Sequence, residues 1–461
     1  MTGKWYHFIG VGGVGMSGLA RVLLDMGMRI SGSDLASSPV IGSLRQRGAQ
    51  IYVGHRAENI ADGVDAVIVS SAVHPSNSEL RAACHKGLPV MTRGELLAKV
   101  MELYQKAIAV TGSHGKTTTS AMIAVVLSEN GLDPTYLVGG DISELGGNAG
   151  LGKGEYLVAE SDESDGSFLK QKPYIAVITN IDNDHLDYYK NITGIMQAFQ
   201  DFLTKIRPGG LAVLCGDSPN VRRLSTEGIN AVTYGIDDHS QYQAKNIVRQ
   251  GILTEAEVFH EGAYLGDMKL SVPGLHNIQN ALAAIAVGMH LGLDFNRIAA
   301  ALAQFRGVRR RFQLIAQYDG IKIIDDFAHH PTEIRALMEA CLGVKRGRMI
   351  TVFQPHRYSR TKFLKKDFGK SFQGNDLVIV TDIYAAGESP LAGVSAENIV
   401  QELKQNGINV LYINSLDDIV NYLQQEIRSG DTVLTVGAGD VWTVGKNLAA
   451  KMESVCWGLR G

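Results

Sequence analysis

The sequence predicts an α/β protein built from three successive blocks, each a parallel sheet flanked by helices. Three observations carry this prediction. Short runs rich in valine, isoleucine and alanine recur along the 461 residues, with turn signals and helix-forming stretches between them. Glycine-rich loops stand between strand and helix at 10–15 and at 112–115. A length of 461 residues also fits three domains at roughly 150 residues each.

The first block opens with an apolar strand at 5–10, a glycine loop, and a helix that runs to Met26 and stops at Gly27. Strands at 28–33, 50–53 and 66–70 follow, and this doubly wound sheet ends near residue 100. In the second block a strand at 107–110 feeds a second glycine loop, and a helix opens at 116–119. Strands at 156–160, 175–179 and 211–215 continue it; between 232 and 272 the pattern becomes short alternating strands, and 277–290 is helical. The third block starts near Arg309 and repeats the theme, with strands at 321–324, 349–353, 377–380, 410–413 and 432–436. The expected domains are 1–100, 101–309 and 310–461.

Composition sets outer bounds. Hydrophobic residues make up 45% and charged residues 20%, which is enough to bury full-sized cores. The net charge of −3 gives no basic field for nucleic acid or an anionic membrane. The four cysteines, Cys84, Cys215, Cys341 and Cys456, are scattered without metal-ligand spacing, which fits reduced thiols. There is no basic leader before the first strand, and no apolar run reaches the ~18 residues of a membrane span. These features predict a cytoplasmic protein without a membrane span.

The most specific stretch is Gly112-Ser113-His114-Gly115-Lys116-Thr117-Thr118. A tight loop between strand and helix aims backbone N–H groups and a helix N-terminus at one point, where phosphate binds. Lys116 adds a cation for the outer phosphates, and the Thr117 hydroxyl is placed to ligate Mg²⁺. Two residues, in place of the usual four, separate the glycines. This reads as an ATP site.

The earlier loop, Gly10, Gly12 and Gly15 with Asp34 at the end of the next strand, matches a dinucleotide fingerprint. Close backbone approach and a helix dipole suit any pyrophosphate, so a nucleotide-linked sugar fits as well as a dinucleotide. Acids follow: Glu160 ends a strand and Asp162, Glu163 and Asp165 lie just beyond it. A carboxylate at a strand end beside a phosphate loop is a natural Mg²⁺ ligand, and Glu160 is the best placed; some of its neighbours read as a solvated acidic loop. His185, in a second acidic strand end, reads as a further metal ligand.

Nine motifs in order then make the chain recognisable: GVGGVGMSGLA (10–20), TGSHGKTTT (111–119), ESDESDGSF (160–168), TNIDNDHLDYY (179–189), GLHNIQNALAA (274–284), GVRRRFQ (307–313), DDFAHHPTE (325–333), FQPHRYSRT (353–361) and DIYAAGE (382–388). Together they resemble the Mur ligase family. The resemblance implies an N-terminal Rossmann-like domain for a UDP-linked precursor, a central P-loop ATPase domain, and a C-terminal Rossmann-like domain that closes over ATP and an amino acid. It implies ligation of L-alanine to the carboxylate of UDP-N-acetylmuramate through an acyl phosphate, with ATP and Mg²⁺. Addition of a whole tripeptide to the same UDP-sugar, as in recycling, is the alternative; ESDESDGSF and FQPHRYSRT favour alanine. A nicotinamide-dependent dehydrogenase, read from the first loop alone, leaves the ATP loop unexplained.

By the same resemblance, Lys116 stabilises the transferring phosphoryl group, and Thr117, Glu160 and His185 hold Mg²⁺. Asn277, Asn280, Arg311 and Asp325 join Gly112–Thr118 in contacting ATP, although Asn277 can equally cap its helix. Gly12, Gly13, Val14, Gly15, Asp34, Ser70, Ser71, His329 and His330 are the expected substrate contacts. Arg357 and Arg360 join the catalytic set, concentrating positive charge with His356 after a strand. The chain departs from the family pattern at Phe327, where many relatives carry Tyr, and at Ser113, where Thr is common. No lysine matches the carbamylated lysine of some sister ligases, and His185 takes that role. The expected assembly is a monomer or homodimer.

Overall fold

Strand Trp5–Ile9 is buried at every position, as expected for a strand covered on both faces by helices. In the computed structural model, which describes residues 3–184, 186–237 and 239–458, this strand lies at the centre of a five-stranded parallel sheet. The order across the sheet is Gln50–Val53, Arg29–Asp34, Trp5–Ile9, Ala66–Val69, Val90–Thr92. The chain winds outward in both directions from Trp5–Ile9, so a crevice opens at its carboxyl end, the point where such sheets take ligands.

The second sheet has ten strands. Its centre is parallel and runs Leu211–Cys215, Ile175–Ile178, Lys106–Thr111, Tyr156–Glu160, Thr135–Ile142. Gly147–Gly150 closes one edge antiparallel to Thr135–Ile142. Helix Lys116–Glu129 packs on this sheet and is buried almost all round, which explains its weakly amphipathic sequence. The third sheet has six strands: Gln313–Tyr318 runs antiparallel to Ile321–Asp326, and Thr432–Val436, Met349–Phe353, Leu377–Val380 and Val410–Tyr412 continue it in parallel.

All three blocks are therefore α/β. They group into two compact units, one of residues 1–247, 256–269 and 278–306, the other of 248–255, 270–277 and 307–461. Inside the first unit a single apolar core reaches from the first sheet into the second, through Leu19, Leu23, Leu97, Val100, Leu137 and Ala149. Leu19 and Leu23, 1% and 0% exposed, stabilise this packing by roughly 1.5–3 kcal/mol each. Helix Val14–Asp25, which follows the first glycine loop, is thereby pressed against strands Thr135–Ile142 and Gly147–Gly150. Among the described residues no helix is long and apolar enough to cross a membrane. Cys84, Cys215 and Cys341 are free thiols, the last two buried.

Candidate active site

The phosphate loop begins where strand Lys106–Thr111 ends, and Gly115, at φ +81°, opens helix Lys116–Glu129. The end of the neighbouring strand braces it. The Ser113 N–H donates to the Asn180 carbonyl (3.0 Å) and the His114 N–H to Asn180 Oδ1 (2.8 Å). The Thr179 hydroxyl and the Asn180 amide both donate to the His114 carbonyl, at 2.6 and 2.9 Å. The Ser113 hydroxyl accepts from the Asp182 N–H at 2.8 Å, and His114 Nε2 lies 3.3 Å from Asp182 Oδ2. Asn180 thus shapes the loop, a role its sequence motif did not announce. Thr118 is half-buried in the first turn of the helix, and Asn280 accepts from the Thr119 hydroxyl at 3.0 Å.

Lys116 and the acids meet at this loop. Lys116 Nζ donates to the Gly112 carbonyl (2.6 Å) and lies 3.0 and 2.9 Å from the two carboxylate oxygens of Glu163. Burial disfavours its charge, yet Glu163, Asp162 and Glu160 outweigh that and raise its pKa above the ordinary lysine value. Glu163 is 1% exposed, so this part of the acidic stretch is no solvated loop. Asp162 also resists burial: the cations of Lys116 and Arg93 hold its carboxyl below the usual range. The Glu160 carboxylate accepts from the Thr117 hydroxyl at 2.9 Å and the Gly139 N–H at 2.7 Å, both on Oε2. A side chain at Gly139 would overlap that carboxylate and come within 2.9 Å of Thr117 Oγ1. The hydroxyl and carboxylate form a hard oxygen pair that suits Mg²⁺. His185, the third expected metal ligand, lies outside the described residues.

The first glycine loop closes on Asp34. Asp34 Oδ2 accepts the Gly12 N–H and Oδ1 the Leu35 N–H, each at 2.8 Å, so the carboxylate expected to face a ribose organises the loop backbone. Gly13 and Val14 are exposed, Gly15 is half-buried, and Ser70 stands against Gly10 at the end of strand Ala66–Val69 with exposed Ser71 beyond it. A cleft of about 220 Å³ is lined by Gly15 and Gly18, by Arg93 and Asn148, and by Glu160 and Asp162. The first glycine loop and the strand-end acids that contact Lys116 and Thr117 therefore share one cavity. Neither Arg93 nor Gly139 carries a motif that flagged it.

The second unit gathers the remaining candidates. Asp325 and Asp326 end strand Ile321–Asp326. Arg310 Nε donates to Asp325 Oδ2 (3.1 Å), the Thr435 hydroxyl donates to Asp325 Oδ1 (2.6 Å), and Asp326 accepts the Phe312 and Ala328 N–H groups, each at 2.7 Å. Arg311 stands over the Phe327 ring and 4.0 Å from Glu333. His330 caps helix Pro331–Leu342, and His329 lies 3.4 Å from Glu333. The rings of Phe327, His329, His356 and Tyr384 follow one another at 5.5–5.6 Å, and Arg360 Nη1 lies 3.4 Å from His356 Nδ1. Burial, opposed by Glu333, pushes His329 down to about 4; burial together with His329, Arg360 and Arg357 pushes His356 down to about 3. Arg357, at φ +71°, opens helix Tyr358–Gly369. The Asn277 amide donates to the Pro273 carbonyl at 2.7 Å.

Comparison with known proteins gives the family and the fold. Residues 5–105 match the Mur ligase family catalytic domain, 110–288 the Mur ligase middle domain and 310–439 the glutamate ligase domain of Mur ligases. The chain belongs to the Mur ligase family. Within it, the chain is 51% identical over 97% of its length to the UDP-N-acetylmuramate–L-alanine ligase of Pelotomaculum thermopropionicum, covering 97% of that protein. It is 50% identical to the enzyme of the same name from Desulforamulus reducens, over 98% of each chain. Among solved structures, the UDP-N-acetylmuramate–alanine ligase of Thermotoga maritima superposes with a TM-score of 0.85 at 32% identity, over 98% of this chain and 99% of that one. The murein peptide ligase of Psychrobacter arcticus shares the fold, with a TM-score of 0.73 at 24% identity over 97% of this chain and 98% of that one.

Proposed function

We infer that this chain joins L-alanine to the carboxylate of UDP-N-acetylmuramate, cleaving ATP to ADP and phosphate, in the synthesis of peptidoglycan precursors. The observation that carries this reading is the cleft that runs from the Gly10–Gly15 loop to Glu160 beside Lys116. A diphosphate-linked acid bound there presents its far end to the phosphate loop.

The chemistry follows from that placement. A carboxylate oxygen of the acid attacks the γ-phosphorus of ATP, and the bond to the ADP oxygen breaks. The amine of L-alanine then attacks the acyl carbon and loses a proton, and the tetrahedral adduct expels inorganic phosphate as the amide forms. Lys116, held cationic by its neighbours, offsets the charge spread over the transferring phosphoryl oxygens, a mainly electrostatic contribution. Thr117 and Glu160 would hold Mg²⁺, which would supply further charge neutralisation between triphosphate and carboxylate. For the remaining contacts, Asn277, Asn280, Arg311 and Asp325 are assigned to ATP, His329 and His330 to substrate, and Arg357 and Arg360 to catalysis. The proposed domains remain 1–100, 101–309 and 310–461, and the proposed compartment is the cytoplasm.

The test is ATP-dependent phosphate release with UDP-N-acetylmuramate, comparing L-alanine, the L-alanine-containing tripeptide, and no acceptor. Release with L-alanine alone is expected. Release with the tripeptide alone would move the chain to the recycling activity, and none with either would overturn the ligase reading.

A further inference from the structure

We propose that Arg93 holds the carboxylate of the acid substrate in the cleft, aiming it at the phosphate loop; this deepens the functional reading above and rests on it. Arg93 is the first residue of helix Arg93–Met101, whose start is fixed by a capping box between Thr92 and Glu95. Its backbone is therefore well anchored. Its side chain lies across the cleft: a Cβ placed on Gly15 would sit 2.9 Å from Arg93 Cδ and 3.3 Å from Nε and Nη1. The glycine leaves the space that the guanidinium fills beside the diphosphate loop.

Among the described residues lining the cleft, Arg93 is the one cation, and it faces Glu160 and Asp162. Its protein contact is thin. Nη2 meets a single oxygen of Asp162 at 3.4 Å, and the side chain keeps 27% of its exposure. A guanidinium has five N–H donors in a planar fork that matches a carboxylate two-by-two. Among the described residues only one of those donors meets a protein acceptor, and Arg93 lines the cleft.

The substrate's chemistry supplies the partner. Its diphosphate meets backbone N–H groups at the glycine loop, whereas its carboxylate must approach a phosphate loop walled by Glu160, Asp162 and Glu163. Like charges at such distances repel strongly in a partly dehydrated cleft. A cation on the substrate's side of those acids removes the conflict, and Arg93 occupies that place.

Calorimetric titration without ATP tests this on the full chain, with UDP-N-acetylmuramate and UDP-N-acetylglucosamine, which shares the nucleotide and sugar but lacks the carboxylate. R93Q is expected to weaken UDP-N-acetylmuramate binding by roughly 10- to 100-fold and leave UDP-N-acetylglucosamine binding unchanged. R93K keeps the charge without the fork and is expected to fall between; because it keeps the charge, it also tests the assignment if R93Q folds poorly. Equal weakening of both nucleotides would overturn the proposal in favour of a diphosphate contact or a structural role, and no weakening of either would overturn it outright. Wild-type protein that bound neither nucleotide would overturn the functional reading together with the proposal.

Discussion

Lys116 is surrounded by acceptors: the Gly112 carbonyl, both oxygens of Glu163, and the wider field of Asp162 and Glu160. Lys116→Ala removes the cation but leaves the first glycine loop untouched. The expected result is a loss of turnover of roughly 10²–10³-fold or more, with UDP-N-acetylmuramate affinity retained in a titration. The same residue-scale electrostatics make a pH prediction. His356 and His329 stay neutral in the folded protein down to about 3 and about 4. Below the ordinary histidine value the unfolded chain binds protons that the folded chain refuses, so both groups destabilise the protein as pH falls from about 6.5. Asp326, pushed up to about 6 by burial against the pull of Arg311, acts with the opposite sign. His356→Gln removes one refused proton, and denaturant titrations between pH 4 and 6 are expected to show a slope flatter by up to about 1.4 kcal/mol per pH unit.

At the scale of elements, strand Thr135–Ile142 borders the candidate site, yet its residues carry no complete strand pattern. Its second half, Gly139 to Asp141, is exposed or half-buried and breaks the apolar pattern, and its antiparallel partner Gly147–Gly150 has no apolar pattern to read. Yet the Gly139 N–H fixes the Glu160 carboxylate. Gly139→Ala is expected to displace Glu160 and raise the Mg²⁺ concentration for half-maximal activity by roughly 10-fold or more, measured by metal titration of turnover. Edge strand Gln313–Tyr318 escaped for a similar reason, since no position in it is fully buried. The interior parallel strands were legible because burial on both faces leaves continuous valine, isoleucine and alanine. Within the site, Lys116, Thr117 and Glu160 were legible from motif and strand-end logic. Glu163 was obscured by its acidic neighbours, and Arg93 and Asn180 reach the candidate site through the fold, which local sequence does not encode.

For the whole molecule, the three-block α/β reading holds in the three sheets, and motifs such as 10–20, 111–119, 160–168 and 353–361 begin at loops that follow strand ends, where such sheets bind ligands, whereas 307–313 follows a helix. Sheet contacts between distant segments, such as Thr135–Ile142 beside Tyr156–Glu160, were beyond a pattern-based reading, because pairing order depends on packing. The first unit brings the first glycine loop and the acids beside Lys116 and Thr117 onto one cleft, and the proposed ligation through an activated carboxylate rests on that placement. That chemistry leaves an isotopic trace. UDP-N-acetylmuramate labelled with ¹⁸O in both carboxylate oxygens, turned over with ATP and L-alanine, transfers one labelled oxygen to phosphorus before the amine displaces it. Mass analysis of the released phosphate is predicted to find one ¹⁸O per phosphate; unlabelled phosphate accompanying amide formation would contradict the acyl-phosphate account.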